Sequence, residues 1–320
     1  MTTLYIFTFA IALVISYLLT PFARGLAVKL NIMVQPGGRR VHTRPMPLWG
    51  GIAIYAGFSI TSLIMHKAAG SLFASDASII GVVVSGAIIL TMGMLDDMKE
   101  LSAGIQTLAI IFAAFILTTF GVKIQFLSNP FGHPPIIALG DFLSILVTVL
   151  WVFGVTKTID FMDGLDGLAA GIGAIAAGVL AIMAFYAAQP SVALMAAVLS
   201  GACIGFLRFN FNPAKIFMGT GGSQFIGFAL AAISIIGAFK VAAAMAIALP
   251  VLVLGVPIFD AIFVIAKRFR DRRPLHVADK SHLHHRLLEM GLSHKQVVFV
   301  IYAIMILFGG TALALFWLSR

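Results

Sequence analysis

Residues 156–171 read TKTIDFMDGLDGLAAG and lie between two long apolar runs. Three carboxylates, those of Asp160, Asp163 and Asp166, recur at every third residue, although the chain has only 12 acidic residues among 320. A carboxylate near a bilayer is costly unless a metal ion, a cationic side chain or the polar groups of a substrate meet it. We therefore predict a polar loop between two membrane spans that forms one wall of a phosphate-handling site.

The apolar runs beside this loop belong to a pattern that extends over the whole chain. Hydrophobic residues make up 61% of the sequence, charged residues 10%, and the mean hydropathy is +1.07. Because a helical span needs about 17 to 25 apolar residues, we expect an all-α, polytopic transmembrane helical bundle of about ten spans in one domain, 1–320. The predicted spans are 3–22, 48–66, 78–95, 104–120, 142–157, 167–188, 191–207, 222–239, 241–266 and 297–318.

The first segment and the cysteine content bear on two further points, whether the chain starts with a signal peptide and whether it has disulfides or a cysteine-bound metal. The first segment lacks a basic start and a small-residue cleavage site, so we expect a retained span rather than a signal peptide. The single cysteine, Cys203, lies within a predicted span. An intrachain disulfide and a multi-cysteine metal site are therefore excluded.

Basic residues are distributed unequally between the two sides that the predicted spans define. The formal net charge is +9, and all 21 Lys and Arg residues except Lys67, Lys123, Lys240 and Arg320 fall on one side. The positive-inside rule makes that side cytoplasmic and places both termini outside. Because no soluble domain carries this charge, we expect it to set topology and contact anionic membrane lipids rather than nucleic acid.

Two adjacent acids, Asp96 and Asp97, end the third predicted span in the sequence MLDDMKEL. A helix C-terminus disfavours negative charge, so two acids there are a cost unless a cation meets them. The alternative is that both are solvated residues at a helix boundary. If a cation does meet the two acids, we expect them to face the same site as the opening loop.

An acid also interrupts the ninth predicted span, where Asp260 follows Pro250 and Pro257 in LPVLVLGVPIFDAIFV. An acid within a membrane span is a functional candidate, and prolines bend helices. We expect the bend to leave a groove for a prenyl chain. The alternative for Asp260 is an ion pair with Lys267 or Arg268 of the same helix.

A glycine-rich loop, FMGTGGSQF, leads into the eighth predicted span on the cytoplasmic side. It contains Gly219, Gly221, Gly222 and Ser223. Small residues and a hydroxyl at a helix N-terminus can form an anion-binding nest. The alternative is that these small residues simply precede a transmembrane helix.

The last cytoplasmic loop contains HLHHRLL, in which His282, His284 and His285 stand between Lys280 and Arg286. Dense histidines can bind zinc, but the usual spacing of zinc ligands is absent. The surrounding cations would oppose a metal ion and favour an oxyanion. We therefore predict that this cluster binds phosphate.

In order, MLDDMKEL, IDFMDGLDGLAAG, FMGTGGSQFIGF and HLHHRLL resemble the motifs of the bacterial polyprenyl-phosphate N-acetylhexosamine-1-phosphate transferases, over about residues 36–296. The resemblance implies transfer of N-acetylglucosamine 1-phosphate from UDP-GlcNAc to undecaprenyl phosphate, with Mg²⁺ or Mn²⁺. It also implies a site on the cytoplasmic face of the bacterial plasma membrane and a role in initiating envelope glycans such as teichoic acid or lipopolysaccharide. Phosphoryl transfer between two anions needs charge neutralisation more than covalent help.

The resemblance further implies roles for single residues. The pair Asp96 and Asp97 matches acids that receive the lipid phosphate and assist metal binding or deprotonation. The histidine cluster matches groups that face the sugar and diphosphate. The implied catalytic residues are Asp96, Asp97, Asp160, His282, His284 and His285; the nucleotide-sugar and phosphate ligands are Asp163, Asp166, Gly164, Gly219, Gly222, Ser223, Lys157 and Arg286; and the metal ligands are Asp96, Asp97, Asp160 and Thr220.

Three residues depart from the motifs of this family. Lys157 and Asp160 stand where the family has two asparagines, and Thr220 replaces an aspartate that is a principal metal ligand in the family. A neutral hydroxyl is a poorer Mg²⁺ ligand than a carboxylate. We hypothesise that Asp160 supplies the substitute carboxylate and that Lys157 neutralises phosphate; the alternative is weakened metal binding and low activity.

Other functions agree with parts of the pattern. The histidine motif favours UDP-GlcNAc over the muramoyl-pentapeptide nucleotide that another branch of the family uses. A transporter or non-catalytic scaffold for lipid-linked glycans is the alternative from a different class. Transporters usually place charges at the membrane midplane and show internal repeats, whereas these acids gather at one face. A chain this hydrophobic is also expected to form a homodimer.

Overall fold

The structure is a computed structural model that describes residues 2–35, 45–68, 76–129, 136–237, 245–272 and 281–319. Lys240, Lys280 and Arg320, named above, lie outside these ranges. The elements in chain order are α1 (Thr2–Lys29), β1 (Met33–Val34), β2 (Met46–Pro47), α2 (Gly51–Ala68), α3 (Asp76–Lys99), α4 (Ala103–Thr119), β3 (Phe126–Ser128), β4 (Ile136–Ala138), α5 (Asp141–Met162), α6 (Leu168–Tyr186), α7 (Pro190–Asn210), α8 (Gly219–Ile236), α9 (Met245–Val253), α10 (Gly255–Arg270), α11 (Leu283–Glu289) and α12 (His294–Leu318).

The helices confirm a membrane protein with a nearly all-helical fold. Within the described ranges, seven helices are long and apolar enough to cross a membrane: α1, α3, α5, α6, α7, α8 and α12. Helix α4 is apolar but shorter, at 17 residues, and α2 is not among the seven. The expected number of about ten spans is therefore not reached by length and hydropathy.

One predicted span, 241–266, is divided into α9 and α10. Leu254 separates them, with φ −97° and ψ 19°. Pro250 lies within α9 and Pro257 in the first turn of α10. Because proline removes a backbone donor and bends a helix, the break falls between the two prolines and leaves Asp260 in the helix that follows it.

Two small antiparallel strand pairs also depart from the all-α prediction. Strands β1 and β2 pair Met33 with Pro47, and β3 pairs Phe126 with Ala138 of β4. Each strand has only two or three residues. The first pair lies at the edge of the cavity described below.

Helix α8 lies at the centre of the bundle. In its apolar window 89% of residues are buried, against 28% in α1. It contacts α2, α3, α5, α6 and α7. Gly93 of α3 packs directly on the backbone of Gly221, so closely that a methyl group on Gly93 would overlap it. Since residues three and four positions apart share a helix face, this contact brings Asp96 and Asp97 to the first turn of α8.

Candidate active site

A cavity of about 1210 Å³ lies at the ends of α3, α5 and α8. The β1–β2 pair, the segment between α7 and α8, and the residues His285 and His294 also line it. Among the described residues, those predicted for the site that do not line this cavity are Lys157, Gly222, His282, His284 and Arg286. Those that do line it are Asp96, Asp97, Asp160, Asp163, Gly164, Asp166, Gly219, Thr220, Ser223 and His285.

Thr220 links the two acids at the end of α3. Its hydroxyl donates to Asp96 Oδ2 at 2.9 Å, and its backbone N–H donates to Asp97 Oδ1 at 3.0 Å. Asp96 Oδ1 also accepts from the backbone N–H of Leu101 and from Gln106 Nε2, both at 2.9 Å. The acids are therefore held against α8 and are not freely solvated. Within the glycine-rich loop that we predicted to form an anion-binding nest, the backbone N–H of Thr220 thus donates to Asp97.

Asp160 is surrounded by donors. Lys157 Nζ lies 3.0 Å from its Oδ2, Gln224 Nε2 donates to the same oxygen at 3.2 Å, and Ser223 Oγ donates to Oδ1 at 2.7 Å. Lys157 also donates to Gln106 Oε1 at 2.9 Å. One network of hydrogen bonds therefore joins α4, α5 and α8 at the cavity wall.

Asp163 follows α5 and is its C-cap residue. Burial and the neighbouring carboxylates of Asp160, Asp97 and Asp166 raise the pKa of Asp163 to about 8. Four carboxylates thus lie close enough to repel one another. Such a group favours a bound cation, because a cation stabilises the ionised form of each acid.

Asp166 fixes the segment that connects α7 and α8. Its Oδ2 accepts from Asn212 Nδ2 and from the backbone N–H of Ala214, both at 3.0 Å. Close by, Asn210 Oδ1 accepts from the backbone N–H of Gly167 at 3.0 Å. The loop 163–167 and the segment 210–214 therefore form one connected side of the cavity.

The three predicted histidines occupy different environments. The ring of His284 is only 1% exposed and packs on Gly164, where any side chain on that glycine would overlap it. Burial, and then the charges of His285 and His282, lower the pKa of His284 to about 3. His284 is therefore neutral at physiological pH, while His285 lies in the cavity wall.

The remaining predicted cation, Arg286, is placed over an aromatic ring. Its Cζ lies 4.6 Å from the centroid of the Phe263 ring on α10. The geometry is that of a cation–π contact. Arg286 thus faces α10, and its predicted role in phosphate binding stays a prediction.

The donor set is compatible with a hard divalent cation. Asp97 Oδ2 is buried and has no hydrogen-bond partner within the described part of the chain. That part contains no group of three or more His, Cys, Asp or Glu residues placed to hold a metal ion. Mg²⁺ usually takes one or two carboxylates and completes its shell with water and substrate phosphates, so Asp97 with Asp163 is a sufficient protein contribution.

Amide side chains in this site were missed from the sequence. Gln106 and Gln224 support Asp96 and Asp160, and Asn212 supports Asp166. Gln106 and Gln224 stand immediately before the apolar runs TLAIIFAA and FIGFALAA, respectively. A polar amide beside such a run could have indicated these residues from the sequence, since a buried amide needs a hydrogen-bond partner.

Comparisons with known proteins identify the family of the chain. The family described as glycosyl transferase family 4 matches residues 79–238. The "Probable undecaprenyl-phosphate N-acetylglucosaminyl 1-phosphate transferase" of Bacillus subtilis (strain 168) is 36% identical over 315 residues, which cover 97% of this chain and 86% of that protein. The decaprenyl-phosphate N-acetylglucosaminephosphotransferase of Mycolicibacterium smegmatis is 37% identical over 316 residues, 91% and 77% of the two chains.

A third relative carries a different name. The phospho-N-acetylmuramoyl-pentapeptide-transferase of Halalkalibacterium halodurans is 31% identical over 323 residues, 97% of this chain and 95% of that protein. The family match includes the residues of the cavity on α3, α5 and α8. The chain therefore belongs to glycosyl transferase family 4 and is a glycosyl-1-phosphate transferase.

Proposed function

We propose that the chain transfers N-acetylglucosamine 1-phosphate from UDP-GlcNAc to undecaprenyl phosphate. A phosphate oxygen of the lipid attacks the β-phosphorus of UDP-GlcNAc, and the bond from that phosphorus to the bridging oxygen breaks. UMP leaves with the bridging oxygen, and undecaprenyl-diphosphate-GlcNAc remains in the membrane. The donor is supported by the relatives named for N-acetylglucosamine, at 36% and 37% identity, against 31% for the muramoyl-pentapeptide transferase.

The observation that carries this proposal is the convergence of acids in one cavity. Asp97, Asp160, Asp163 and Asp166 come from two separate helix ends and meet beside the first turn of α8. All lie at the same end of the bundle, which is unlike the midplane charges of a transporter. Phosphoryl transfer needs such a site, because positioning and charge stabilisation supply most of the catalysis.

Asp97 and Asp163 are the residues that would hold Mg²⁺, or Mn²⁺ in its place. When bound, the ion would neutralise the phosphates and stabilise the charge that develops during transfer. The network of Thr220, Gln106 and Lys157 keeps the acids in fixed positions before the substrates arrive. Fixed groups cost no reorganisation during the reaction.

The donor and acceptor are expected at different walls of the cavity. The nucleotide is expected at the segment that Asp166 holds, whose residues Asn212 and Ala214 line the cavity. His285 is placed in the wall where a protonated imidazole could donate to a phosphate oxygen. The break before α10 leaves the exposed side chains of Phe259 and Ile262 facing outward, which suits a prenyl chain.

We further propose that the cavity faces the cytoplasm of a bacterial plasma membrane, and that the protein assembles as a homodimer. The excess of Lys and Arg on that side supports the orientation. UDP-sugars are made in the cytoplasm, so the orientation would also give the site its donor. Cysteine labelling of opposite loops in intact cells would test the orientation.

The purified protein in lipid nanodiscs would test the proposed function directly. We expect UMP release that requires both UDP-GlcNAc and undecaprenyl phosphate, and that EDTA abolishes. Asp97→Asn should lower this rate strongly, whereas Asp271→Asn, outside the cavity, should not. UMP release only with the muramoyl-pentapeptide nucleotide would replace the donor in our proposal. The absence of UMP with either donor would favour a non-catalytic protein.

A further inference from the structure

We propose that Asp260 is a positioning residue that anchors the histidine segment, residues 281–289, on α10 and so sets the place of His285 in the cavity wall. The sequence singled out Asp260 as an intramembrane acid, but it does not line the cavity among the described residues. Its role in catalysis is therefore indirect. The kinetic part of this inference rests on the proposed function, and the structural part does not.

The contacts of Asp260 show what it holds. Its Oδ2 lies 2.7 Å from His282 Nδ1, and its Oδ1 accepts from the backbone N–H of Leu283 at 2.7 Å. The side chains of Asp260 and His282 are only 3% and 11% exposed. A buried carboxylate requires such partners, and two short bonds from adjacent residues fix both the ring and the start of α11.

Two further contacts join the histidine segment to α10. Lys267 Nζ donates to Ser281 Oγ at 2.7 Å, and Arg286 lies over the Phe263 ring. Lys267 thus bonds to the histidine segment, where the sequence offered it as a partner for Asp260. Three successive residues of the histidine segment, Ser281, His282 and Leu283, are therefore bonded to α10, the last two through Asp260.

A row of histidine rings connects His282 to the cavity. The rings of His282 and His284 are stacked, with centroids 5.8 Å apart and planes 10° apart. The rings of His284 and His285 are 4.3 Å apart, and His284 packs on Gly164 of the acidic loop. His285, at the end of this row, lines the cavity. A shift at His282 would therefore move the row against a loop that has no space for it.

The hydrogen bond also decides how His282 carries its proton. An acceptor at Nδ1 favours the form in which Nδ1 is protonated, and it holds the ring at one angle. An amide in place of the carboxylate can still accept a hydrogen bond from the backbone N–H of Leu283. It carries no negative charge, however, so it attracts the imidazole of His282 less strongly. Asp260→Asn therefore weakens the hold on His282 while leaving the volume of the residue unchanged.

The kinetic test compares Asp260→Asn with Asp271→Asn, which removes an exposed acid from the end of the same helix. We expect Asp260→Asn to lower kcat for UMP release about tenfold or more, the scale seen when a bond that orients a histidine is lost, with KM for UDP-GlcNAc changed less. Asp271→Asn should leave both constants unchanged. In a His282→Gln background, Asp260→Asn should cause no further loss, because both act through the same ring.

A second readout does not depend on activity. Cys203 is the single cysteine and is buried, so His285→Cys provides a unique reporter at the cavity wall. We expect Asp260→Asn to change the rate at which a polar maleimide labels this cysteine by about threefold or more, since the segment opens locally when its anchor is weakened. Asp271→Asn should not change the rate.

The two readouts separate the two proposals. If the wild-type protein releases no UMP but Asp260→Asn still changes the labelling rate of the His285→Cys reporter, the proposed function is overturned and the anchor is supported. An unchanged labelling rate would overturn the anchor. So would additive losses of kcat in the Asp260→Asn, His282→Gln double variant, since they would show that Asp260 acts independently of the ring.

Discussion

Lys157 and Asp160 form an ion pair in which only Asp160 lines the cavity, with 15% and 16% of their side chains exposed. By the resemblance described above, they are also the positions at which we expect the family to have two asparagines. Because they are three residues apart on α5, they share one face of the helix. A positive and a negative charge thus replace two neutral amides, and the net charge of the site is unchanged.

We therefore expect the two substitutions to compensate each other. Lys157→Asn and Asp160→Asn should each lower kcat by about tenfold or more, because each leaves a partly buried charge without its partner. The double variant should recover part of that loss, since it restores two amides. A double-mutant cycle on kcat for UMP release measures the coupling. Additive losses would instead indicate that Asp160 acts alone, as in the hypothesis of a substitute metal ligand.

Thr220→Asp tests how the site holds its cation. The threonine hydroxyl donates to Asp96 Oδ2, and a carboxylate at this position would remove that donor and add a charge beside Asp96 and Asp97. We expect a lower thermal midpoint without divalent cations and a larger rise with added Mg²⁺ than in the wild type, because ligand binding to the folded state stabilises it.

Activity measured in a Mg²⁺ titration is the second readout for Thr220→Asp. Similar turnover in the wild type and in Thr220→Asp would show that threonine is compatible with metal binding. Activity that appears only after Thr220→Asp would contradict the hypothesis that Asp160 replaces the missing ligand. Thr220→Val serves as the control, since it removes the hydroxyl without adding charge.

The acidic loop was predictable because charge is rare in this sequence. With 12 acidic residues among 320, the positions of Asp160, Asp163 and Asp166 stand out against apolar runs, and the structure places all three in one cavity. The spans around them were predictable for the same reason. Hydropathy does not show where a span breaks, however, and the division at Leu254 depends on the local effect of two prolines.

The partners of these acids were not predictable from local patterns. Asp96 meets Thr220 and Asp260 meets His282, although 124 and 22 residues separate them. Such contacts depend on how helices pack, which the periodicity of one helix does not contain. The sequence alternatives for Asp260, pairs with Lys267 or Arg268, considered one helix alone. His284 is a second example. The basic motif suggested a charged residue, but the ring is buried against Gly164 and its lowered pKa makes it neutral.

The close contact between Gly93 and Gly221 predicts a strict requirement for glycine. Gly93→Ala should lower stability by about 1 to 3 kcal/mol, because the added methyl group meets backbone atoms that cannot rotate away. Activity should fall as well, since Asp96 and Asp97 follow one turn later. Gly154→Ala on α5 is the matched control, because its added carbon has no described atom within 4 Å apart from its chain neighbours and its own helix backbone. Equal thermal midpoints for the two variants, measured in detergent, would contradict this packing argument.

The buried ring of His284 predicts how stability depends on pH. Its pKa is lowered from 6.5 to about 3 in the folded protein, so between these values the unfolded chain binds a proton that the folded chain does not. Stability then rises with pH across this window and is lost as pH falls below about 6.5, by at most about 1.4 kcal/mol per pH unit for this one group. His284→Phe keeps a ring against Gly164 but cannot bind a proton. The thermal midpoint of this variant should fall less steeply between pH 6.5 and 5 than that of the wild type. Equal slopes would show that His284 is not held in its neutral form, and that the close contact with the acidic loop does not control its charge.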